Sequence, residues 1–398
     1  MNDSFCRIVN HCNVCEKQGL VQVISLPNLP FTGIYCSKES NFPDFIYRGV
    51  NQALMACPYC GHAQLQSIIP PSCIYDHTYT HRGSASAIAR KGNEFFADFL
   101  QSLLPNRVFK QILDIGCNDG YLLRLLEEKG GALLGVDPIW TGKSRQLSQK
   151  ISVQGGFIEK VDFRQAMSQE PDLVVSAHTF EHLEQPKEVL QSVVSRVQDN
   201  TLFVIEVPSF DTLVYNHRFD QVFHQHIQYF SLASFYHMVQ DLGCSYLAHR
   251  FNYSMWGGTM LFAFQKTGVS EKLKDFVKHT ANSIIASYES FIAQLRQLQE
   301  TIRASPAKKI YGFGAAQMLP SLVYHIPGQL SQVQEILDDN IDRQGLMYPS
   351  LPFVIANPNT VDVANADVVI TALDSARPIL SRLMSLGVKR ILHPLNVI

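Results

Sequence analysis

The chain has 398 residues, of which 46% are hydrophobic and 17% are charged, and its formal net charge at pH 7 is −2. This length predicts two or three domains, and the composition predicts a soluble globular protein. The balanced charge gives no reason to expect nucleic acid or an anionic membrane as a partner. No apolar run approaches the roughly 20 residues of a membrane helix, and the N-terminus lacks a signal-peptide pattern, so we expect a cytoplasmic protein.

The chain divides into three blocks. Residues 1–75 are rich in proline and cysteine and predict little regular structure. Residues 76–268 begin with a helical pattern and then alternate short apolar runs with helical stretches, which is typical of a parallel α/β sheet. Residues 269–398 begin with an amphipathic pattern, which predicts a long helix or a helix pair over 270–304 with Ser270 as N-cap, and continue as a smaller α/β unit.

The first block contains two Cys-x-x-Cys pairs among the nine cysteines of the chain. The pairs are Cys12 with Cys15 and Cys57 with Cys60. An odd cysteine count in a chain expected to be cytosolic favours metal binding over disulfides. Two such pairs can supply four thiolates to a tetrahedral site with no position for water, so we predict structural Zn²⁺. The alternative is that four reduced cysteines share no metal.

The stretch LDIGCNDGYLLRLLEEKGGALLGVDP predicts a cofactor site in the second block. We predict a strand that ends at Asp114, a tight turn between Gly116 and Gly120, and a second strand that ends at Asp137. Glycine allows close approach of the backbone to a ligand, and an acid after the second strand suits ribose hydroxyls. The residues expected at a nucleoside-containing cofactor are Asp114, Gly116, Asn118, Gly120, Asp137 and Phe157.

The loop also indicates which cofactor binds. It reads Gly-Cys-Asn-Asp-Gly, which departs from the dinucleotide pattern Gly-x-Gly-x-x-Gly. Asp114 and Asp119 would repel a pyrophosphate, but they suit the cationic sulfonium and ammonium groups of S-adenosylmethionine. We therefore predict S-adenosylmethionine, with NAD or a structural turn as alternatives. The loop resembles motif I of class I methyltransferases, and this resemblance implies that Asp137 binds the ribose.

The stretch FHQHIQYFS places His224 and His226 two residues apart. Such a pair often belongs to packing or to the surface, so the stretch alone leaves a structural role and a catalytic role open. A metal site would need a third ligand, for which His178, Glu181 and His182 are candidates.

The third block contains KKIYGFGAAQMLPSL, in which Gly312, Gly314 and Ala315 follow a predicted strand. This turn predicts either a phosphate site at a helix N-terminus or close packing of helix on strand. Asp338 ends the next predicted strand, where it would contact a ribose if the unit binds a nucleotide and would otherwise cap a turn.

The order of these blocks resembles one family, the sugar C-methyltransferases that act on nucleotide-linked keto sugars in deoxysugar biosynthesis. The resemblance rests on the split cysteine module, the glycine loop, FHQHIQYFS, and the third block with GFGAAQ and LDDNIDRQGL. It implies a class I S-adenosylmethionine domain between a zinc module and a C-terminal Rossmann-like domain. That last domain would help to hold the diphosphate of a nucleotide sugar.

The resemblance also implies catalytic roles. His226 matches the base that removes a proton from the sugar carbon, His182 matches a histidine that binds or polarises the substrate, and Tyr79 matches a tyrosine of the site. A carbon attacks the sulfonium methyl only after it loses a proton, which is acidic only beside a ketone, and histidine is a usable base near neutral pH. His182, His224 or a tyrosine could then donate to the enolate oxygen.

Two positions depart from the family pattern Tyr-His-Glu-His. Phe223 cannot donate a hydrogen bond, and Gln225 cannot raise the pKa of a neighbouring histidine through charge. Tyr229 is near enough to supply the missing hydroxyl. The residues expected at the catalytic centre or the substrate are His226, His182, His224, Gln225, Tyr79, Phe223, Tyr229, Gly312, Gly314, Ala315 and Asp338.

We therefore expect C-methylation of a nucleotide-linked keto-deoxysugar. The alternatives are O- or N-methylation of a related sugar, a silent protein that binds nucleotide sugar or S-adenosylmethionine, and a nucleotide-dependent oxidoreductase. The sequence leaves the oligomeric state open.

Overall fold

The computed structural model of the chain describes residues 5–70, 73, 84, 86–268 and 275–395. Within them the elements follow the predicted order of a cysteine-rich module, a larger α/β unit and a smaller α/β unit. The predicted boundary between the first two blocks lies outside the described residues, and the boundary between the last two lies at the edge of a segment outside them.

The cysteine-rich module is built on short antiparallel strands. Its elements are β1 (Arg7–Ile8), β2 (Val21–Leu29), α1 (Asp44–Arg48), β3 (Val50–Ala56), β4 (Ala63–Leu65) and β5 (Ser67–Ile68). Strands β2, β3 and β4 pair in that order, and β1 pairs with β5. The module has more regular structure than its composition predicts, because apolar side chains at alternate positions, such as Ile24 and Leu26, are buried.

The larger unit contains a mixed sheet with eight strands in the described part of the chain. The strands are β6 (Phe109–Ile115), β7 (Gly130–Asp137), β8 (Arg145–Gln146), β9 (Ile151–Gly155), β10 (Leu173–Ala177), β11 (Leu202–Pro208), β13 (Cys244–Asn252) and β14 (Thr259–Lys266). Their order is β13, β14, β11, β10, β6, β7, β9, β8, with β11 to β9 parallel. The strands predicted from apolar runs are confirmed as β6, β7, β10, β11 and β14.

One short strand of the larger unit, β12 (Gln228–Tyr229), leaves that sheet and pairs antiparallel with β4 of the cysteine-rich module. The helices of the larger unit are α2 (Ala87–Leu103), α3 (Tyr121–Leu125), α4 (Phe163–Ala166), α5 (Pro186–Val194), α6 (Phe210–Tyr215) and α7 (Leu232–Asp241). The predicted first helix is confirmed as α2, and the Ser86 hydroxyl caps it by accepting the Ala89 amide at 3.1 Å.

The smaller unit has a parallel sheet in the order β17, β16, β15, β18, β19. Its elements are α8 (Ala281–Arg303), β15 (Ile310–Phe313), α9 (Leu319–His325), β16 (Ile336–Leu337), β17 (Ile355–Ala356), β18 (Asp367–Ile370), α10 (Ala376–Ser385) and β19 (Arg390–Leu392). The runs KKIYGFGAAQ, VQEILDD, ADVVITA and KRILHPL each predict a strand, and these strands are confirmed as β15, β16, β18 and β19. The predicted fold class, a class I Rossmann-like unit beside a smaller α/β unit, is therefore confirmed.

The helix predicted over 270–304 is shorter than expected. It begins at Ala281, because Thr280 and Ser283 form a capping box that ends the preceding segment. His279 donates to Asp211 of the larger unit at 2.8 Å, which holds that segment in a non-helical form. The expected cap, Ser270, lies outside the described residues. Among the described helices, none combines the length and apolar character needed to cross a membrane.

The three units share buried apolar contacts. One core combines Leu54 of the module, Phe210 of the larger unit, and Leu295 and Ile336 of the smaller unit. Because these side chains exclude water together, the relative positions of the units are set by packing as well as by chain connection.

Candidate active site

A cavity of about 1100 Å³ lies where the three units meet. Its wall includes Thr32 of the module, Gly116 and His226 of the larger unit, and Asp338 and Arg343 of the smaller unit. The cavity therefore runs without a break from the glycine loop to the C-terminal unit. A concave site of this size between units is typical of a ligand or substrate pocket.

The glycine loop after β6 has the tight geometry that the sequence predicts. Gly116 and Gly120 have φ values of 75° and 77°, in the left-handed region that favours glycine. A Cβ atom on Gly116 would lie 2.0 Å from Thr179 Oγ1, so no larger residue fits there without a shift. Gly116 lines the cavity, whereas Gly120 precedes α3 and does not.

Asp137 and Asn118 are joined in the loop. The Asn118 amide donates to one Asp137 carboxyl oxygen at 2.9 Å, and the Ile139 amide donates to the other at 2.9 Å. Both residues line the cavity together with Phe157, whose ring is half exposed. The acid expected to bind a ribose is thus held by backbone amides at the cavity wall.

Asp114 lies beneath the loop and is only 1% exposed. Neither of its carboxyl oxygens has a hydrogen-bond partner among the described residues. Burial, and then the nearby Asp137 charge, raises the pKa of Asp114 to about 8. A buried carboxyl group in need of a partner fits the cationic groups of S-adenosylmethionine, so the residues present agree with the predicted cofactor.

The segment after β10 brings three titratable side chains to the cavity. His178 has a positive φ of 54° and its Nδ1 lies 3.2 Å from Glu181 Oε1. The His182 Nδ1–H donates to the Gln225 carbonyl at 2.8 Å. Because a carbonyl only accepts, this bond places the ring proton of neutral His182 on Nδ1. His182 Nε2 lies 3.9 Å from Glu181 Oε1.

His226 faces the cavity beside this segment. Its ring centre lies 4.1 Å from that of Phe223 and 4.9 Å from that of His182. Burial, and then the charge of His182, lowers the pKa of His226 to about 3, although the Glu181 charge opposes this. His226 is therefore neutral at pH 7 and can accept a proton.

Ligand atoms of Glu181, His182 and His226 lie within 4.8 Å of one another, close enough for one small cation. Glu181 Oε1 is already engaged by His178, however, so the cluster is satisfied in part without a metal.

Two residues of the histidine stretch bond to the cysteine-rich module: Gln225 lines the cavity, as expected, whereas His224 lies outside its wall. The His224 Nε2–H donates to the Leu29 carbonyl at 2.8 Å, and its ring packs on Phe31 outside the cavity wall. The Gln225 amide donates to the Thr32 carbonyl at 3.1 Å and its oxygen accepts from the Thr32 hydroxyl at 3.2 Å. Both side chains therefore anchor the stretch to the module, and the expected donor role of His224 is not realised.

Two more residues expected at the substrate, both from the histidine stretch, lie at the cavity. Tyr229 and Phe223 line the cavity, and the Phe223 amide donates to the Tyr229 hydroxyl oxygen at 3.1 Å. Burial raises the pKa of Tyr229 above its usual value, so its hydroxyl keeps its proton. Tyr79 lies outside the described residues.

The glycine turn of the smaller unit differs from the predicted phosphate site. Gly312 lies within β15, where a Cβ atom would be 2.5 Å from Ile336 Cδ1, so this glycine serves packing. Helix α9 begins only at Leu319 and does not directly follow the glycines. The Ala315 amide donates to Asp338 at 2.6 Å. Gly314 and Asp338 line the cavity, but Gly312 and Ala315 do not.

The four predicted cysteines form one cluster. The Sγ atoms of Cys12 and Cys60 lie 3.5 Å apart, and so do those of Cys15 and Cys57. Zn–S bonds of about 2.3 Å in a tetrahedral site place sulfur atoms about 3.8 Å apart, so the cluster has the dimensions of such a site.

Two charged residues near the cavity, Arg218 and Glu206, were not predicted from the sequence. Arg218 is 6% exposed and donates to Asp220 and, across the unit boundary, to Asp374 at 2.9 Å. Although burial opposes its charge, the two carboxylates raise the pKa of Arg218 above its usual value. Glu206 is buried in β11 beside His178. The position of Glu206 inside an apolar run could have indicated a buried acid. Nothing in the local sequence indicated that Arg218 would pair with Asp374 of the smaller unit.

Asp114 generates a prediction about stability and pH. Its pKa is about 8 in the folded protein and about 4 in an unfolded chain. Between these values the unfolded chain has lost a proton that the folded protein keeps, so this group makes folding less favourable as pH rises. We expect Asp114→Asn to raise the melting temperature of the ligand-free protein at pH 8 by about 2–4 °C or more, and by less towards pH 5.

Thermal denaturation from pH 5 to pH 8 measures this effect, with Asp98→Asn on the exposed side of α2 as the control. The same Asp114→Asn variant should bind S-adenosylmethionine more weakly in calorimetry, because the cationic groups of the cofactor lose a carboxylate partner. An equal change in melting temperature at all pH values would contradict the assignment of a raised pKa.

Comparisons with known proteins agree with this site. The family described as Methyltransferase domain matches residues 88–249. The chain is 23% identical over 376 residues to the C-methyltransferase NovU of Streptomyces niveus, covering 88% of this chain and 86% of that protein. A ubiquinone biosynthesis O-methyltransferase of Pseudomonas fluorescens (strain SBW25) is 26% identical over 91 residues, 22% of this chain and 39% of that protein.

Among solved structures, N-methyltransferase NodS from Bradyrhizobium japonicum WM9, in complex with S-adenosyl-l-homocysteine, covers 46% of this chain and 89% of its own at 16% identity, with a TM-score of 0.36. The matched family region contains both the glycine loop and the histidine stretch. The chain is therefore an S-adenosylmethionine-dependent methyltransferase whose central unit has the class I Rossmann-like fold.

Proposed function

We propose that this methyltransferase transfers a methyl group to a carbon of a nucleotide-linked keto-deoxysugar. The observation that carries the proposal is the cavity, which joins the glycine loop, His226 and the C-terminal unit in one space. A nucleotide sugar is long enough to need such a site, with its sugar near the methyl donor and its nucleotide in a second unit. NovU, which aligns over 88% of the chain, bears the name C-methyltransferase, and this supports carbon as the acceptor.

His226 is the proposed base. It takes the proton from the carbon beside the ketone, and the electron pair of that C–H bond moves towards the carbonyl oxygen. His226 suits this step because it faces the cavity and is neutral at pH 7. S-adenosylmethionine, when bound at the glycine loop, would supply a methyl group on a cationic sulfur, so that a C–C bond forms as the S–C bond breaks and neutral S-adenosylhomocysteine leaves.

His182 and Tyr229 are the proposed donors to the developing enolate oxygen. The Nδ1 proton of His182 is used by the Gln225 carbonyl, so His182 can donate into the cavity only when Nε2 is also protonated. Glu181 Oε1 lies 3.9 Å from that nitrogen. Tyr229 keeps its hydroxyl proton and lines the cavity, so it can replace the hydroxyl that Phe223 lacks.

We further propose that the smaller unit holds the nucleotide. Asp338 directly follows β16 at the cavity wall, as a ribose-binding acid would, and Arg343 beside it offers positive charge to a diphosphate. Arg382 also lines this end of the cavity. These groups would hold the nucleotide end of the substrate without help from the amides of α9.

O- or N-methylation of a related sugar is the second candidate. The family glutamate is replaced by Gln225, whose amide bonds to Thr32 and so cannot assist a base. A base needs less help to take a proton from a hydroxyl or an ammonium group than from a carbon. Proton and carbon NMR of the product separates these candidates, since C-methyl and O-methyl groups resonate far apart.

We also propose that the cysteine cluster holds one structural Zn²⁺. Four thiolates at these separations complete a tetrahedral site and leave no position for a substrate or water.

The carbon route predicts deuterium exchange. When the protein is incubated with a panel of nucleotide-linked 4-keto-deoxysugars in deuterated water, we expect mass spectrometry to show exchange beside the ketone and, with S-adenosylmethionine, gain of one methyl group. His226→Ala should reduce both by about 100-fold or more, since a general base contributes about 10²–10⁴-fold. Affinity for S-adenosylmethionine should stay within a few-fold.

His237→Ala, on the outer side of α7, is the matched control and should keep full activity. Full activity of His226→Ala would remove the base assignment. Methyl gain without exchange, in the wild-type protein, would favour O- or N-methylation.

The cysteine cluster predicts a metal content. Elemental analysis should find about one zinc per chain, released by chelator only under denaturing conditions. Cys60→Ser should lose the metal and lower the melting temperature, whereas Cys244→Ser, a buried cysteine outside the cluster, should keep the metal. A wild-type protein without zinc would contradict the assignment.

A further inference from the structure

A buried array of carboxyl and imidazole groups runs from the central sheet to the cavity. Glu206 Oε1 lies 3.9 Å from His178 Nε2, and the other ring nitrogen of His178 lies 3.2 Å from Glu181 Oε1. The array ends at Glu181, which has a carboxyl oxygen within 4.8 Å of ring nitrogens of both His182 and His226. Acid and histidine therefore alternate from β11 to the proposed base.

Glu181 is a fixed negative charge in this array. It is 1% exposed, and its Oε2 has no hydrogen-bond partner among the described residues. Although burial opposes its ionisation, the hydrogen bond from His178 and the charge of His182 lower the pKa of Glu181 to about 2. A buried carboxylate with an unsatisfied oxygen is costly unless a positive charge faces it, so the site is built for an imidazolium nearby.

We propose that Glu181 is a positioning residue that stabilises the imidazolium formed when His226 takes the substrate proton. This inference rests on the proposed function. It also accounts for the departure at Gln225, which stands where the family has a glutamate and is bonded to Thr32. Glu181, in the segment after β10, instead supplies a negative charge near the His226 ring.

The charges around His226 favour this role. The titratable groups whose charges reach the ring come from the segment after β10: His182 and Glu181, with His178 behind them. When the C–H proton moves to His226, its electron pair stays on the substrate and the ring becomes positive. Among these groups only Glu181 is negative, so without it the new charge would face other histidines alone.

The first test needs no substrate. Although burial lowers the pKa of His178, its hydrogen bond to Glu181 and the charge of Glu206 raise it above the usual value. NMR of ring-labelled histidine should therefore show His178 titrating above pH 6.5, and Glu181→Gln should lower that midpoint by about one unit or more. Glu184→Gln, an exposed acid that pairs with Arg7, is the control and should leave the midpoint unchanged. An unchanged midpoint in Glu181→Gln would overturn the inference.

The second test measures deuterium exchange beside the ketone. We expect Glu181→Gln to slow exchange by about 10- to 100-fold, the loss that follows when base strength falls by one or two pKa units, with KM unchanged. Glu181→Ala should be slowed as much and be partly restored by added formate but not by formamide. Glu181→Asp should retain more activity than either. A structural role would produce none of this selectivity between charged and neutral additives.

The outcomes separate this inference from the proposed function. If the wild-type protein exchanges deuterium and Glu181→Gln exchanges as fast, the inference fails and the function stands. If the wild-type protein shows no deuterium exchange beside the ketone, the proposed function is wrong, and the proposed stabilisation of the His226 imidazolium by Glu181 is wrong with it. A second metal ion per chain that is lost in Glu181→Ala would also overturn the inference, because it would assign Glu181, His182 and His226 to a metal site.

Discussion

The active site depends on a short strand pairing between distant parts of the chain. Gln228 and Tyr229 pair with Gln64 and Ala63 of the cysteine-rich module, and the His62 ring lies 2.9 Å from the Gln228 side chain. This pairing begins two residues after His226, so it fixes where the proposed base enters the cavity. Because the cysteine cluster holds the turn before His62, a structural metal would set the position of the base without touching the substrate.

The two α/β units contain the same type of hydrogen bond, from a loop amide to a carboxylate, at opposite ends of the cavity. In the larger unit Asp137, at the end of β7, accepts the Asn118 amide, and in the smaller unit Asp338, after β16, accepts the Ala315 amide. In both, an acid after the second strand holds the turn after the first. Since the carboxyl ends of parallel strands meet at one edge of a sheet, each of these turns faces the cavity together with its acid. Under the proposed function, this repeated arrangement would let each end of the cavity hold a nucleoside.

The charge balance around the proposed base differs from that of an isolated histidine. Burial lowers the pKa of His226 and holds the ring neutral, while the negative charge of Glu181 favours the protonated ring. Glu181 offers that charge because His178 keeps it ionised. Gln225, at the position where the resembled family has a glutamate, is then compatible with the proposed proton abstraction, and its side chain joins the stretch to the module through Thr32.

The sequence by itself determined the strands β6, β7, β10, β11 and β14, the turn at Gly116 and the cysteine pairs, because apolar periodicity, left-handed turns and ligand spacing are local properties. It also indicated His226 through a resemblance to a family. Only the tertiary structure decided that His224 and Gln225 turn toward the module, that α8 begins at Ala281, and that Glu181 faces His226. Those outcomes arise from contacts between segments far apart in the chain, and no local pattern specifies which buried polar groups will satisfy one another.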